Sequence, residues 1–116
     1  MTGLRVGDVV KVPFPYTDRP VREHRPALVV AMPTGERVPS LLWVLMITSA
    51  ANRGWPGDVV VSDLGAAGLP VASVIRTEKI ATIDARDAVR LGILVEADWA
   101  QVSGQLSTYL AATVEG

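Results

Sequence analysis

Glycine, proline and asparagine interrupt the chain about every ten to fifteen residues, and stretches of that length hold short strands between turns. This spacing predicts a small, mainly β domain. The predicted strands cover residues 7–14, 26–32, 41–48, 58–62 and 71–84. The third is an apolar run that is typical of a central strand covered on both faces. The last segment forms one or two strands and is expected to bend near Glu78 or Lys79.

The C-terminal segment has a different period. Its apolar residues recur at steps of four and three, which is the spacing of one helix face. They are Val95, Trp99, Val102, Leu106 and Tyr109. Asp98, with Gln101 three residues later, is expected to cap the start of this helix,. Short strands followed by one terminal helix predict a small, strongly bent barrel with the helix laid across it.

Length and composition limit the possible functions. The chain has 116 residues, which predicts a single domain over 1–116,. Apolar residues make up 49% of it, a high share for a small domain, so a self-association face is expected,. The net charge of −1 excludes a general nucleic-acid coat. Any site for a polyanion must therefore be local.

Metal and membrane functions find little support in the residue types. There is no cysteine and one histidine, so we expect no disulfide, no metal site and no cofactor,. The N-terminus lacks the blocks of a signal peptide,. The longest apolar run, Leu41 to Ile47, is far shorter than the roughly 20 residues that span a bilayer,. The expectation is a soluble, cytoplasmic protein without membrane contact.

Two short segments carry the chemistry. Residues 22–26, Arg-Glu-His-Arg-Pro, lie between the first two predicted strands, and the arginine before Pro26 is held at the root of a strand. Its guanidinium keeps its charge near neutral pH and suits a phosphate. The third strand ends in Thr48 and Ser49, which offer two hydroxyls. Together these segments predict a phosphodiester site.

Several segments, taken in order, resemble the PemK/MazF-type toxins of toxin–antitoxin modules. They are Gly7-Asp8-Val9-Val10, Pro13-Phe14, Arg25-Pro26-Ala27-Leu28-Val29, Ile47-Thr48-Ser49, Gly68-Leu69, Ser73-Val74 and Lys79-Ile80-Ala81-Thr82-Ile83-Asp84. The resemblance runs from about residue 7 to residue 110. It implies an SH3-like barrel with a C-terminal helix, a homodimer, and a metal-independent endoribonuclease that cuts single-stranded RNA. It also implies a cognate antitoxin that blocks the enzyme and through which alone the toxin meets DNA.

The resemblance also implies which residues act. Arg25 matches the family's catalytic arginine and Thr48 its catalytic threonine, with Ser49 and Glu78 near the site. Two departures concern the cleavage sequence: Val71 and Ala72 stand where a lysine is common, and Ala81 stands where an arginine is common. The cleavage sequence, the class of RNA and the antitoxin therefore stay open.

Cleavage without metal uses the 2′-hydroxyl of the RNA as nucleophile and leaves a 2′,3′-cyclic phosphate and a 5′-hydroxyl. Arg25 supplies a fork of donors for two phosphoryl oxygens, and Thr48 supplies one more donor,. Arginine is a poor base, because its pKa lies above about 12. His24 and Glu78 are the candidates for the base, and the choice between them stays open,.

Single-stranded RNA is commonly bound by aromatic stacking and by positive charge. The predicted RNA-binding residues are Phe14, Tyr16, Arg22, Arg53, Trp55, Arg76 and Lys79. Each feature also has a plain structural alternative: Arg25 pairs with Asp18 or Glu23, and Thr48 and Ser49 cap a strand end. Two other functions fit the resemblance, namely a binding-only toxin like the gyrase inhibitors and an inactive family member. The C-terminus offers no aromatic anchor, which disfavours the binding-only toxin.

Overall fold

The computed structural model describes residues 3–14, 23–35 and 37–115. Within them the chain is mainly β, as predicted. The strands are β1 (Asp8–Phe14), β2 (Glu23–Ala31), β3 (Leu41–Ser49), β4 (Asp58–Val60), β5 (Ser73–Asp84) and β6 (Val89–Ile93). The helices are α1 (Leu64–Ala67) and α2 (Glu96–Glu115), with 3₁₀ turns at Ala50–Asn52 and Ala85–Asp87. In this part of the chain, no helix has the length and apolar content needed to cross a membrane.

All six strands belong to one antiparallel sheet in the order β4-β5-β3-β2-β1-β6. Within the described residues, β4 and β6 form the two edges and do not pair, so the sheet is not closed into a barrel by hydrogen bonds. Helix α1, which follows β4, packs on β6 at the other edge. Gly68 and Gly92 make this approach possible, because a Cβ on either would collide with the backbone opposite,.

Strand β5 is bent where the sequence predicted a bend. Ile80 pairs with Leu45, but the next pair along is Arg76 with Met46. Thr77, Glu78 and Lys79 therefore have no partner on β3 and form a bulge, which bends the strand,. The bulge leaves Glu78 and Lys79 exposed to solvent.

The sheet buries apolar side chains on both faces. On β1, Val9 belongs to one core cluster, and Val10 and Val12 belong to the other, as the period of a strand requires,. Strand β3 contributes to both clusters. Leu42, Val44 and Met46 belong to the first cluster, that of Val10 and Val12, and Leu45 and Ile47 belong to the second, that of Val9. This accounts for the apolar run in the sequence. Each buried Val, Leu or Ile side chain stabilises the fold by about 1.5–3 kcal/mol.

Helix α2 covers the second cluster. Val102 is fully buried, and Trp99 and Leu106 pack against the same cluster, as the helical spacing predicted. The predicted cap is wrong, since the helix begins at Glu96, two residues before Asp98. Asp98 is instead buried and accepts hydrogen bonds from the backbone N–H of Ser62 at 2.8 Å and from its hydroxyl at 2.9 Å. The carboxylate thereby fastens the first turn of α2 to the segment that leaves β4.

Candidate functional site

Arg25 and Thr48 line the same cavity, at one end of the two central strands. Ala27 pairs with Met46, so Arg25, two residues before Ala27, lies on the same face of the sheet as Thr48, two residues after Met46,. The cavity has a volume of about 210 Å³. Its lining residues are Arg25, Met46, Thr48, Asn52, Arg76 and Lys79. The structure thus brings together the two residues that the resemblance assigns to catalysis.

The end of a hydrogen-bond ladder creates this cavity. Pairing of β2 with β3 begins at Ala27, directly after Pro26, which has no N–H to donate,. Arg25 is meanwhile held on the other side by β1, where it pairs with Val12. The guanidinium therefore extends from a fixed backbone beside a gap between strands.

Thr48 is oriented by a residue of the turn that follows it. The Asn52 side-chain amide donates to Thr48 Oγ1 at 3.1 Å. Ser49 caps the same turn, because its hydroxyl oxygen accepts from the backbone N–H of Ala51 at 3.2 Å. Ser49 is exposed and does not line the cavity. Its position matches the capping alternative better than the predicted catalytic support.

Arg76 joins the cavity to the loop after β3. Its Nη2 donates to the carbonyl oxygen of Asn52 at 2.6 Å and to Asp58 Oδ2 at 3.3 Å, and its Nε donates to Asp58 Oδ1 at 3.4 Å. The side chains of this ion pair are only 11% and 9% exposed. Arg76 was predicted to hold a phosphate, but these donors are directed at the protein itself.

Trp55 lies on the guanidinium of Arg76, whose central carbon is 4.3 Å from the centre of the indole ring,. The ring is 46% exposed. Asp58 Oδ2 also accepts from the backbone N–H groups of Gly54 and Trp55, both at 3.3 Å. The Asp58 carboxylate thus fixes the backbone at Gly54 and Trp55 and the position of Arg76. The half-exposed ring of Trp55 is thereby held beside the cavity.

The other predicted residues are distributed unevenly. Lys79 lines the cavity, and Glu78 precedes it in the β5 bulge but does not. His24 is exposed and is adjacent to Arg25 in β2, so its side chain leaves the opposite face of the sheet,. Arg53 is exposed in the loop before Trp55. Phe14 ends β1, opposite Glu23, and Tyr16 and Arg22 lie outside the described residues, as does Asp18.

Sequence reasoning missed Asn52 and Asp58. Asn52 was given no role, although it stands four residues after Thr48 and is the only asparagine in the chain. Asp58 was interpreted only as the first residue of a strand. Its partner, Arg76, is 18 residues away, so only the pairing of β4 with β5 reveals the contact.

A larger groove of about 810 Å³ lies at the other end of the sheet. It is lined in part by Leu4, Met32, Val38 and Pro39, with residues 84–86 at its rim. None of the predicted site residues lines it. Within the described part of the chain, no group of three or more histidine and carboxylate side chains is placed to hold a metal ion.

Comparison with known families decides what kind of domain carries this cavity. The family model of the PemK-like, MazF-like toxins of type II toxin–antitoxin systems matches residues 5–110 of this sequence. The chain belongs to this family. The match spans every described strand and the first three quarters of α2, so the cavity lies within the PemK/MazF domain.

Solved structures agree with this assignment. MazF from Deinococcus radiodurans (Form-I) is 27% identical, with a TM-score of 0.70, over 91% of this chain and 94% of that one. A MazE–MazF complex (Form-II) from the same organism is 26% identical, with a TM-score of 0.67, over 90% and 92%. An endoribonuclease in complex with its cognate antitoxin, from a mycobacterial species, is 19% identical, with a TM-score of 0.69 and 96% coverage of both chains. The last likeness shows the fold alone. Comparison with curated proteins found no match.

Proposed function

We propose that this PemK/MazF-family toxin is an endoribonuclease that cuts single-stranded RNA without metal at short preferred sequences and is neutralised by a cognate antitoxin. The observation that carries the proposal is the shared cavity, in which Arg25 and Thr48 face one another from two central strands. The products would be a 2′,3′-cyclic phosphate and a 5′-hydroxyl. An enzyme that cuts cellular RNA would act in the cytoplasm.

In this mechanism Arg25 and Thr48 stabilise the phosphorane-like transition state. Arg25 donates to two phosphoryl oxygens with a fixed positive charge, and Thr48 donates one further hydrogen bond. Lys79 lines the same cavity and adds a second cation. The donors are positioned before the substrate arrives, and removal of one such donor typically costs about 3 kcal/mol of barrier.

The position of the base candidates favours Glu78. Adjacent residues of a strand project from opposite faces, so His24 leaves the face of the sheet opposite to Arg25,. Glu78 does not line the cavity either, but it lies in the β5 bulge next to Lys79, which does, and in a bulge the regular alternation of side chains is interrupted,. We therefore assign the removal of the 2′-hydroxyl proton to Glu78, and the protonation of the departing 5′-oxygen to Arg25.

The RNA would extend from the cavity over the loop that follows β3. Trp55 offers an exposed ring for base stacking, and Arg53 stands two residues before it,. The remaining proposed contacts come from Phe14, Tyr16 and Arg22 in and after β1, and from Lys79 in the cavity wall. Arg76 would act indirectly, by holding the ring of Trp55.

The proposed partners are an antitoxin and a second copy of the chain. Among similar structures, the Deinococcus MazF is found with MazE, and the mycobacterial endoribonuclease with its cognate antitoxin. Exposed Trp43 and Ile80 support the homodimer. Leu45 pairs with Ile80 and lies two residues from Trp43 on β3, so both side chains lie on one face of the sheet,.

The test is cleavage of a long single-stranded RNA in the presence of EDTA, followed by mapping of the ends. We expect chelator-resistant cuts that end in a cyclic phosphate, and loss of at least 99% of the activity in Arg25→Ala, in keeping with the ~10²–10³-fold effect of one preorganised donor. Arg37→Ala is the matched control, because Arg37 is an exposed arginine in the connection between β2 and β3, at the far end of the sheet.

Two results would refute the proposal. One is RNA that stays intact in the presence of a high concentration of wild-type protein, while expression of the same protein arrests growth in cells. This result would favour a toxin that acts by binding alone. The other is equal cleavage by Arg25→Ala and by the wild-type enzyme.

A further inference from the structure

The hydrogen bond between Asn52 and Thr48 has a direction that matters for catalysis. A threonine hydroxyl has one proton to donate and lone pairs that accept. Thr48 Oγ1 accepts from the Asn52 amide at 3.1 Å. With this lone pair occupied, the hydroxyl's own proton is directed away from Asn52. Both residues line the cavity, so the proton is available to a group bound there.

We propose that Asn52 is a positioning residue for the cleavage reaction, which aims the Thr48 hydroxyl at the phosphoryl oxygen of the substrate. The inference rests on the proposed ribonuclease function and goes beyond it, because it assigns the orientation of a catalytic donor to Asn52, a residue that has no role in the proposed mechanism. Asn52 would contribute to the rate only through Thr48.

The surroundings of Asn52 are built to hold it in place. Its carbonyl oxygen accepts from Arg76 at 2.6 Å, and Arg76 is itself held by the buried carboxylate of Asp58. The turn that carries Asn52 is fixed at its start as well, since Ala50 N–H donates to the carbonyl of Ala72 at 2.8 Å. The Arg76 contact is to the backbone of Asn52, so the side chain can be replaced without breaking it.

Aspartate at this position should reverse the hydrogen bond. An ionised carboxylate can only accept. In Asn52→Asp the Thr48 hydroxyl would therefore donate its hydrogen bond to the new carboxylate and no longer to the substrate. The shape of the side chain is nearly unchanged. Ala51→Asp is the matched control, because Ala51 is exposed, adjacent, and outside the lining of the cavity, and the change adds the same charge.

The experiment measures single-turnover cleavage of one RNA oligonucleotide and, separately, its dissociation constant. For Asn52→Asp we expect a rate constant about 100-fold lower than that of Ala51→Asp, as for the loss of one preorganised donor, with dissociation constants that agree within about threefold. In a Thr48→Val background, adding Asn52→Asp should change the rate less than about twofold, since residues that act as a unit are not additive. Circular dichroism and melting curves verify that each variant is folded.

The outcomes separate this inference from the function on which it rests. Equal rates for Asn52→Asp and Ala51→Asp would overturn the inference and leave the ribonuclease standing, provided that Arg25→Ala is inactive. A full effect of Asn52→Asp in the Thr48→Val background would also overturn it, because the added charge would then act without Thr48. Failure of the wild-type protein to cut RNA would refute the proposed function itself.

Discussion

Arg76 and Arg86 each approach an aspartate at 3.3 Å, but in different surroundings. The side chain of Arg76 is 11% exposed and that of Arg86 is 83% exposed. Removing one partner of a buried pair leaves a charge without compensation and costs about 3–5 kcal/mol, whereas exposed pairs contribute about 0–1 kcal/mol. The same distance therefore has different consequences at the two sites.

We expect Arg76→Met to lower the free energy of unfolding by about 3 kcal/mol, because Asp58 is then buried without its cation. The loop of Trp55, which Asp58 and Arg76 shape, should loosen as well. Arg86→Met is the control and should lower the free energy of unfolding by less than about 1 kcal/mol. Urea unfolding at a fixed protein concentration measures both. Equal losses would show that burial does not govern the Arg76 pair.

The sequence predicted those site residues whose chemistry can be recognised from residue type and position in the chain alone. Arg25 and Thr48 were identified from residue type, from position at strand ends and from the family resemblance. Asn52 and Asp58 were missed, because their roles depend on contacts with Thr48 and Arg76. His24 is adjacent to Arg25 in the sequence, but adjacent residues of a strand project from opposite faces of the sheet.

At the scale of elements, α2 is fastened to the loop that carries Trp55. Tyr109 Oη is 2.7 Å from Thr77 Oγ1, which donates to the carbonyl oxygen of Gly57 at 2.7 Å. Thr77 uses its own proton on Gly57 and so accepts from Tyr109. Gly57 has φ +81°, and a Cβ there would collide with both hydroxyls. Only glycine fits between the helix and the bulge of β5.

Loss of the Tyr109 hydroxyl should weaken the contact between α2 and the loop that carries Trp55 without unfolding the protein. We expect Tyr109→Phe to lower the free energy of unfolding by about 1 kcal/mol, the net contribution of a typical hydrogen bond. Thr108→Val removes a hydroxyl one residue earlier that donates within its own helix, to the carbonyl oxygen of Gly104 at 3.0 Å, and should have little effect. Thermal melts compare the two variants. A larger shift for Thr108→Val than for Tyr109→Phe would contradict this role.

The elements themselves were largely predictable because their signals are local. Alternation located β1, an unbroken apolar run located β3, and the change of period located α2, whereas β6 was not predicted. Helix α1 was not predicted, because it is short and rich in alanine and glycine. Its end signals are nevertheless present: the Asp63 carboxylate accepts from the backbone N–H of Ala66 at 2.9 Å, and Gly68 ends the helix at φ +71°,. The barrel-like fold was predicted, but that β4 and β6 do not pair to close the sheet depends on contacts between strands far apart in the sequence.

At the scale of the whole molecule, the apolar composition raised the question of self-association. The exposed apolar side chains of the described residues include two candidates for this role. One is the sheet face with Trp43 and Ile80, 44% and 56% exposed, and the other is the groove at the far end of the sheet, where Val38 is 94% exposed. Trp43 and Ile80 belong to paired central strands and form a rigid surface, whereas Val38 lies in a turn. Tryptophan is also enriched at interfaces.

We therefore predict that the homodimer forms through the face of Trp43 and Ile80. Wild-type protein at micromolar concentration should sediment with the mass of two chains, and Trp43→Glu combined with Ile80→Glu should sediment as one, because a charge buried at an interface without a partner is strongly unfavourable. Val38→Glu adds charge to the groove and should stay dimeric. The reverse result, in which only Val38→Glu dissociates, would move the interface to the groove. Neither substituted position lines the cavity of Arg25 and Thr48, so residual cleavage by the monomeric variant would show whether one chain alone holds a complete active site.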